Sequence, residues 1–195
     1  MKWPYTKRSD GKIAVTLDNN VWDFLFKKDF KLWDELPESE FVIYITREVE
    51  IEWLAIPDSA EKAILKDYIK QTIDKCNIKT TSVFGFYVPG LVHQRVGGFG
   101  IGTWQSQTER EFYEAIRQIY LIGQSETNST LTKNEADAAV AAASFFSIAL
   151  TCERPLKEGP LRFAADHGGK VLYLIDFDRR GLSLKECIIA LHEKA

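Results

Sequence analysis

The stretch Ile13-Ala14-Val15-Thr16-Leu17-Asp18-Asn19-Asn20-Val21 decides the architecture. Its first five residues form an almost unbroken apolar run with no alternation. That pattern belongs to a strand covered on both faces, as in a parallel sheet with helices above and below. Asp18, Asn19 and Asn20 then stop the run with side chains suited to a strand-to-helix turn.

Outward from this stretch, strand and helix signals alternate. The segment from Val21 to Leu36 reads as a helix broken near Lys27-Lys28-Asp29, and Phe41 to Ile45 as a second strand. Glu48 to Ile56 suits a helix with Val49, Trp53 and Ile56 on one face. Ser59 to Cys76 suits an amphipathic helix, with Ala60, Ile64, Tyr68 and Thr72 in one stripe and Leu65, Ile69 and Ile73 beside it. Ser82 to Val88 is strand-like. Thr108-Glu109-Arg110-Glu111 has the capping-box pattern and opens a helix carrying Phe112, Ile116, Ile119 and Tyr120. Thr132 to Glu135 repeats that pattern before an alanine-rich helix. Ile148 to Thr151 and Val171 to Ile175 read as strands, with Pro160 to His167 and Ser183 to Ala195 as helices. The expected fold is a three-layer α/β/α sandwich with a mostly parallel central sheet, a single domain over residues 1–195. Sites in such sheets lie at the carboxyl ends of the strands.

Composition narrows the function classes. The 25 Lys and Arg against 28 Asp and Glu give a net charge of −3, so binding to nucleic acid through overall basicity is excluded. A local basic strip beside an acidic pocket is not. The three cysteines (Cys76, Cys152, Cys187) are odd in number and widely spaced, which excludes a disulfide framework and a structural zinc site from the expectation. No apolar run approaches the roughly 18–20 residues that span a bilayer, and the polar start lacks a signal-peptide core. A cytoplasmic location without membrane association is expected.

Four carboxylates occupy strand ends or helix starts. Asp18 follows the first strand, and Asn19 or Asn20 could cap the helix in its place. Glu52 borders Trp53 at the edge of an apolar helix face, whereas Glu48 and Glu50 are expected to face water. Asp137 opens the alanine-rich helix, and Glu153 follows the short strand ending in Thr151. Carboxylates converging at strand ends repel one another unless cations neutralise them. Hard oxygen donors suit Mg²⁺ or Mn²⁺, and metal-assisted phosphodiester hydrolysis is the matching reaction class.

These residues carry a resemblance to a known family. Val15-Thr16-Leu17-Asp18-Asn19-Asn20 resembles the opening motif of PIN-domain nucleases, and Thr46 with Glu52 six residues on resembles their second. Asp137 with the following alanines resembles the third, and Leu150-Thr151-Cys152-Glu153 the fourth, where Asp is more usual than Glu. The resemblance covers residues 12–60 and 130–176. It implies a PIN-like fold and a Mg²⁺- or Mn²⁺-dependent endoribonuclease, often the toxin of a toxin–antitoxin pair. Asp18 and Asp137 would bind the metal, Glu52 and Glu153 would complete the pocket, and Asn20 and Thr151 would support it. RNA is the implied substrate, with an antitoxin-like protein as a further partner. A non-catalytic PIN-like binding or scaffold protein is the alternative.

Residues about 78–124 exceed what a minimal nuclease sandwich needs and read as an inserted accessory segment. Gly90 to Trp104 holds five of the twelve glycines. Arg95, Trp104, Arg110 and Arg117 combine phosphate contacts with a stacking surface, and Lys27, Lys28 and Lys31 could extend the strip. A packing arm that buries Phe99, Ile101 and Trp104 in a homodimer or against the core is the competing account. Gly97 to Gly102 matches neither dinucleotide nor P-loop glycine spacing. His93, His167 and His192 show no ligand spacing.

Overall fold

A computed structural model of the chain describes residues 2–84, 96–97, 102–103, 106–121, 131 and 134–194. The strands are β1 (Ile13–Leu17), β2 (Phe41–Thr46), β3 (Lys79–Phe84), β4 (Val96–Gly97), β5 (Gly102–Thr103), β6 (Ile148–Thr151) and β7 (Val171–Tyr173). The helices are α1 (Val21–Lys27), α2 (Leu32–Glu35), α3 (Arg47–Leu54), α4 (Ala60–Lys75), α5 (Gln107–Tyr120), α6 (Glu135–Ala143), α7 (Pro160–Asp166) and α8 (Leu184–Glu193).

All described strand pairs are parallel, and the main sheet runs β3-β2-β1-β6-β7, with the two-residue β4 and β5 both against the end of β3. Helices α1, α2 and α4 pack together, α3, α5 and α7 pack around α6, and α8 packs on β6 and β7, in a three-layer α/β/α sandwich. The apolar β1 is buried on both sides, as an unbroken apolar run requires. β3 lies within 78–124, so the main sheet extends into that stretch.

The chain builds β1, β2 and β3 in one direction and then returns to the other side of β1 with β6 and β7. The order therefore reverses between β1 and β6, and the crevice at their carboxyl ends is the place such sheets reserve for ligands. Leu17 pairs with Leu150, which sets Asp18 and Thr151 at one level across that crevice.

Several expected boundaries and faces shift. The capping box of α5 is Ser106 with Glu109, two residues before the Thr108 pattern, and Ile119 is exposed while Phe112 and Ile116 are buried. Starting there adds half a turn without changing the buried stripe. On α4 the buried side is Leu65, Ile69 and Thr72, while Ile64 is 64% exposed. Helix α6 begins at Glu135, with Asn134 at its cap in the left-handed region (φ 63°) and no side-chain cap bond. Instead, the Asn134 amide donates to the Tyr120 carbonyl at 3.0 Å. Thr132, its expected capping partner, lies outside the described residues.

Helix α6 explains its own alanines. Ala136, Ala138, Val140, Ala141 and Ala142 are all buried because α3, α5, α7 and three strands surround it. Alanine lets neighbours approach this closely while favouring helix. A carboxylate in the first turn of so confined a helix has little freedom to move away.

The amino-terminal segment closes the fold. Trp3 packs edge-on against Phe112 and Phe145, and its backbone amide donates to the His167 carbonyl at 2.8 Å. Among the described residues, no helix is long and apolar enough to cross a membrane.

Candidate functional site

Asp18 emerges from β1 nearly buried, 2% exposed, and every hydrogen bond around it serves its orientation. Its Oδ1 accepts the Asn19 backbone N–H at 2.7 Å. Its Oδ2 accepts the Asn20 side-chain amide at 2.6 Å and the Thr151 hydroxyl at 2.7 Å. Asn20 in turn accepts the Cys152 N–H at 2.7 Å, and Thr151 Oγ1 accepts the Glu153 N–H at 3.1 Å. The ends of β1 and β6 are thus laced together across the crevice. Asn20 stands at the cap position of α1 without capping it, because its amide is committed to this lacing. Asp18 does not cap α1 with its side chain either.

Three of the four expected carboxylates share one pocket. Asp18, Glu52 and Asp137 line a cavity of about 400 Å³ together with Asn19, Asn20, Asp23, Ile56, Pro57, Lys62 and Leu65. Glu52 reaches it from α3, whose start is fixed by the Thr46 hydroxyl accepting the Val49 N–H at 3.3 Å. Glu153 does not line this cavity. It is ion-paired with Lys157, although its charge still acts on Asp18 and Asp137.

Asp18, Glu52 and Asp137 hold protons unusually well. Burial pushes Asp18 up to about 6 against hydrogen bonds from Thr151 and the Asn19 backbone, with the charges of Glu153 and Glu52 adding to the rise. Burial raises Glu52 to about 7, helped by the charge of Asp137 and opposed by a hydrogen bond from Asn19. Asp137 rises to about 7 through burial and the charges of Asp18 and Glu153, with Lys157 pulling the other way. Burial works against the Lys157 ammonium too, yet its bond to Glu153 and the charges of Glu153, Asp137 and Asp18 hold its pKa above the usual lysine value. The pocket concentrates negative charge and lacks enough positive charge to balance it.

Among the described residues, no group of three or more His, Cys, Asp and Glu side chains is arranged to hold a metal ion. The donor chemistry fits a smaller demand. Mg²⁺ keeps most of its waters and needs only one or two carboxylates from the protein, and Asp18 and Asp137 supply hard oxygens whose repulsion a divalent cation would relieve.

The other expected residues are scattered. Glu48 does not face water freely, since it lines a second cavity of about 530 Å³ with Tyr44, Glu109, Tyr113 and Glu135. Glu50 is only partly exposed, being ion-paired with Arg47 and accepting the Thr80 hydroxyl at 3.1 Å. Arg110 and Arg117 are exposed along α5, the helix packed on α6. Lys27 and Lys31 are exposed, while Lys28 is ion-paired with Asp178. Arg95, His93, Phe99, Ile101 and Trp104 lie outside the described residues. His167 stacks on Phe163 at 4.0 Å between ring centroids, and His192 meets Tyr5, both away from the acidic pocket.

Asp23 and Lys62 in the pocket, and Lys157 beside Glu153, have no counterpart in the sequence reading. Lys62 lies in the first turn of α4, where its backbone N–H donates to the Ser59 hydroxyl at 3.4 Å. Lys157 is four residues beyond Glu153, but the intervening Arg154-Pro155-Leu156 is a turn, so helical pair spacing offered no signal. No protein-family model matches the chain, and no curated protein matches it.

Proposed function

We propose that the protein is a PIN-like, divalent-metal-dependent endoribonuclease acting at the β1/β6 crevice. One observation carries the reading. Asp18, Glu52 and Asp137, from three separated parts of the chain, line one pocket at the point where strand order reverses. Partial support comes from the order of the four sequence motifs and the parallel sheet they decorate.

Asp18 and Asp137 would hold Mg²⁺ or Mn²⁺, which when bound would activate water and stabilise charge on phosphate oxygens. The protein's own residues do the rest. Thr151 and Asn20 present Asp18 in one orientation, so no side-chain ordering is needed when the site fills. Glu52, poised at about 7, can take or give a proton at neutral pH. Arg110 and Arg117 offer phosphate contacts on the neighbouring helix. An antitoxin-like partner belongs to this reading as a consequence of the family resemblance.

A second reading, a PIN-like binding or scaffold protein without catalysis, is favoured by one feature: the Glu153 carboxylate is occupied by Lys157. Cleavage of a labelled single-stranded RNA separates the two. Cuts that need Mg²⁺ or Mn²⁺, vanish in EDTA and vanish in Asp137→Asn support the nuclease. Metal-independent RNA binding without cleavage supports the scaffold.

A further inference from the structure

Glu153 and Lys157 form an unequal pair just beyond the carboxyl end of β6. The Glu153 side chain is 9% exposed, whereas that of Lys157 is 53% exposed. The turn between them is pinned: the Lys157 N–H donates to the Arg154 carbonyl at 2.9 Å, and Arg162 donates to the Pro155 carbonyl at 2.9 Å. The backbone is therefore fixed while the ammonium rides on a flexible stem in partial contact with water. Such a compact point charge changes partners readily, and a phosphate oxygen is as good an acceptor as a carboxylate. The same ammonium lies within electrostatic reach of Asp137 and Asp18. It neutralises part of the charge that a divalent cation would otherwise neutralise.

We propose that Lys157 is an exchangeable counter-ion: it occupies Glu153 in the free protein and transfers to a nucleic-acid phosphate when substrate and cation enter, releasing Glu153 to the pocket. This rests on the reading of the pocket as a metal-dependent phosphodiesterase site. The exchange balances charge, since the ammonium trades a carboxylate for a phosphate and the carboxylate gains the cation. It also assigns a use to a glutamate where the resembled family more usually has aspartate. The longer side chain reaches a partner outside the pocket.

Two measurements test it on wild type, Lys157→Met, Lys157→Arg and Asp18→Asn. The first is Mn²⁺ titration by calorimetry without nucleic acid. The second is anisotropy of a fluorescent single-stranded RNA with a cleavage-resistant backbone, at saturating Mn²⁺, over a salt series. Lys157→Met should bind Mn²⁺ about tenfold more tightly, since a competing charge is gone. Its RNA affinity should fall, with the slope of log affinity against log salt shrinking by about 0.7. Lys157→Arg should stay near wild type in both. Unchanged Mn²⁺ affinity in Lys157→Met, while Asp18→Asn abolishes Mn²⁺ binding, overturns the counter-ion role alone. An unchanged salt slope overturns it as well. A wild type that binds no Mn²⁺, or keeps binding it after Asp18→Asn, overturns the metal reading and this inference with it.

Discussion

Asp137 and Thr151 act in opposite senses on the same charge problem. Asp137 is largely buried in a closely packed helix, so its charge costs the folded state free energy through burial first and through the charges of Asp18 and Glu153 second. Asp137→Asn should therefore stabilise the metal-free protein by on the order of 1 kcal/mol, a rise of a few degrees in Tm, while abolishing cleavage. Calorimetry in EDTA reads the first effect, and unchanged or lower Tm contradicts it. Thr151 instead donates to the buried Asp18 at 2.7 Å. Thr151→Val keeps the shape and removes the donor, which should cost about 1–3 kcal/mol in urea unfolding, with Thr151→Ser largely restoring it. The position of Asp18 was legible because the apolar run before it ends where the strand ends, whereas Asn20 and Thr151 were expected as supports only through the family resemblance. The ion pair that takes Glu153 was not legible, because nothing local couples two residues across an irregular turn.

At the scale of elements, β1 and β6 match their sequence readings residue for residue, since continuous apolar runs bounded by polar residues leave one register for a buried strand. The helix α5 boundary was ambiguous for a definite reason. Ser106 to Glu109 and Thr108 to Glu111 both satisfy the capping pattern, and the Phe112 and Ile116 stripe is compatible with either. The α4 stripes are adjacent on the helix, so periodicity alone could not choose which faces the core; packing against α1 and α2 does. The alanines of α6 were legible as close packing, and they yield a sharp expectation. Ala141→Leu, fully buried, should cost about 1–3 kcal/mol or more through overpacking. Arg110→Ala and Arg117→Ala on exposed α5 should change stability by less than about 0.5 kcal/mol while flattening the salt dependence of RNA binding. Equal stability losses at both kinds of site would contradict the layer assignment.

For the whole molecule, the acidic pocket makes stability depend on pH with an unusual sign. Asp18, Glu52 and Asp137 titrate at about 6, about 7 and about 7 in the folded protein, above their ordinary values of 3.8, 4.5 and 3.8. Between about pH 4 and 7 the folded state therefore binds more protons than the unfolded one, and stability falls as pH rises through that window. Below it all three are protonated in both states, and above it all are ionised, so the curve should flatten at each end. Thermal scans in EDTA should show Tm declining across this range, and Mg²⁺ added at pH 7.5 should recover most of the loss. Asp137→Asn should make the decline shallower. A Tm that rises from pH 4.5 to 7 would contradict the electrostatics on which the site assignment stands.

The most direct test of the central claim is an anomalous difference map from crystals of the wild type soaked in Mn²⁺ at pH 7.5. The account predicts a strong peak in the crevice between Asp18 and Asp137, absent from Asp137→Asn crystals treated identically. A map with no peak there at saturating Mn²⁺, with Asp18 still held only by Asn19, Asn20 and Thr151, would contradict it.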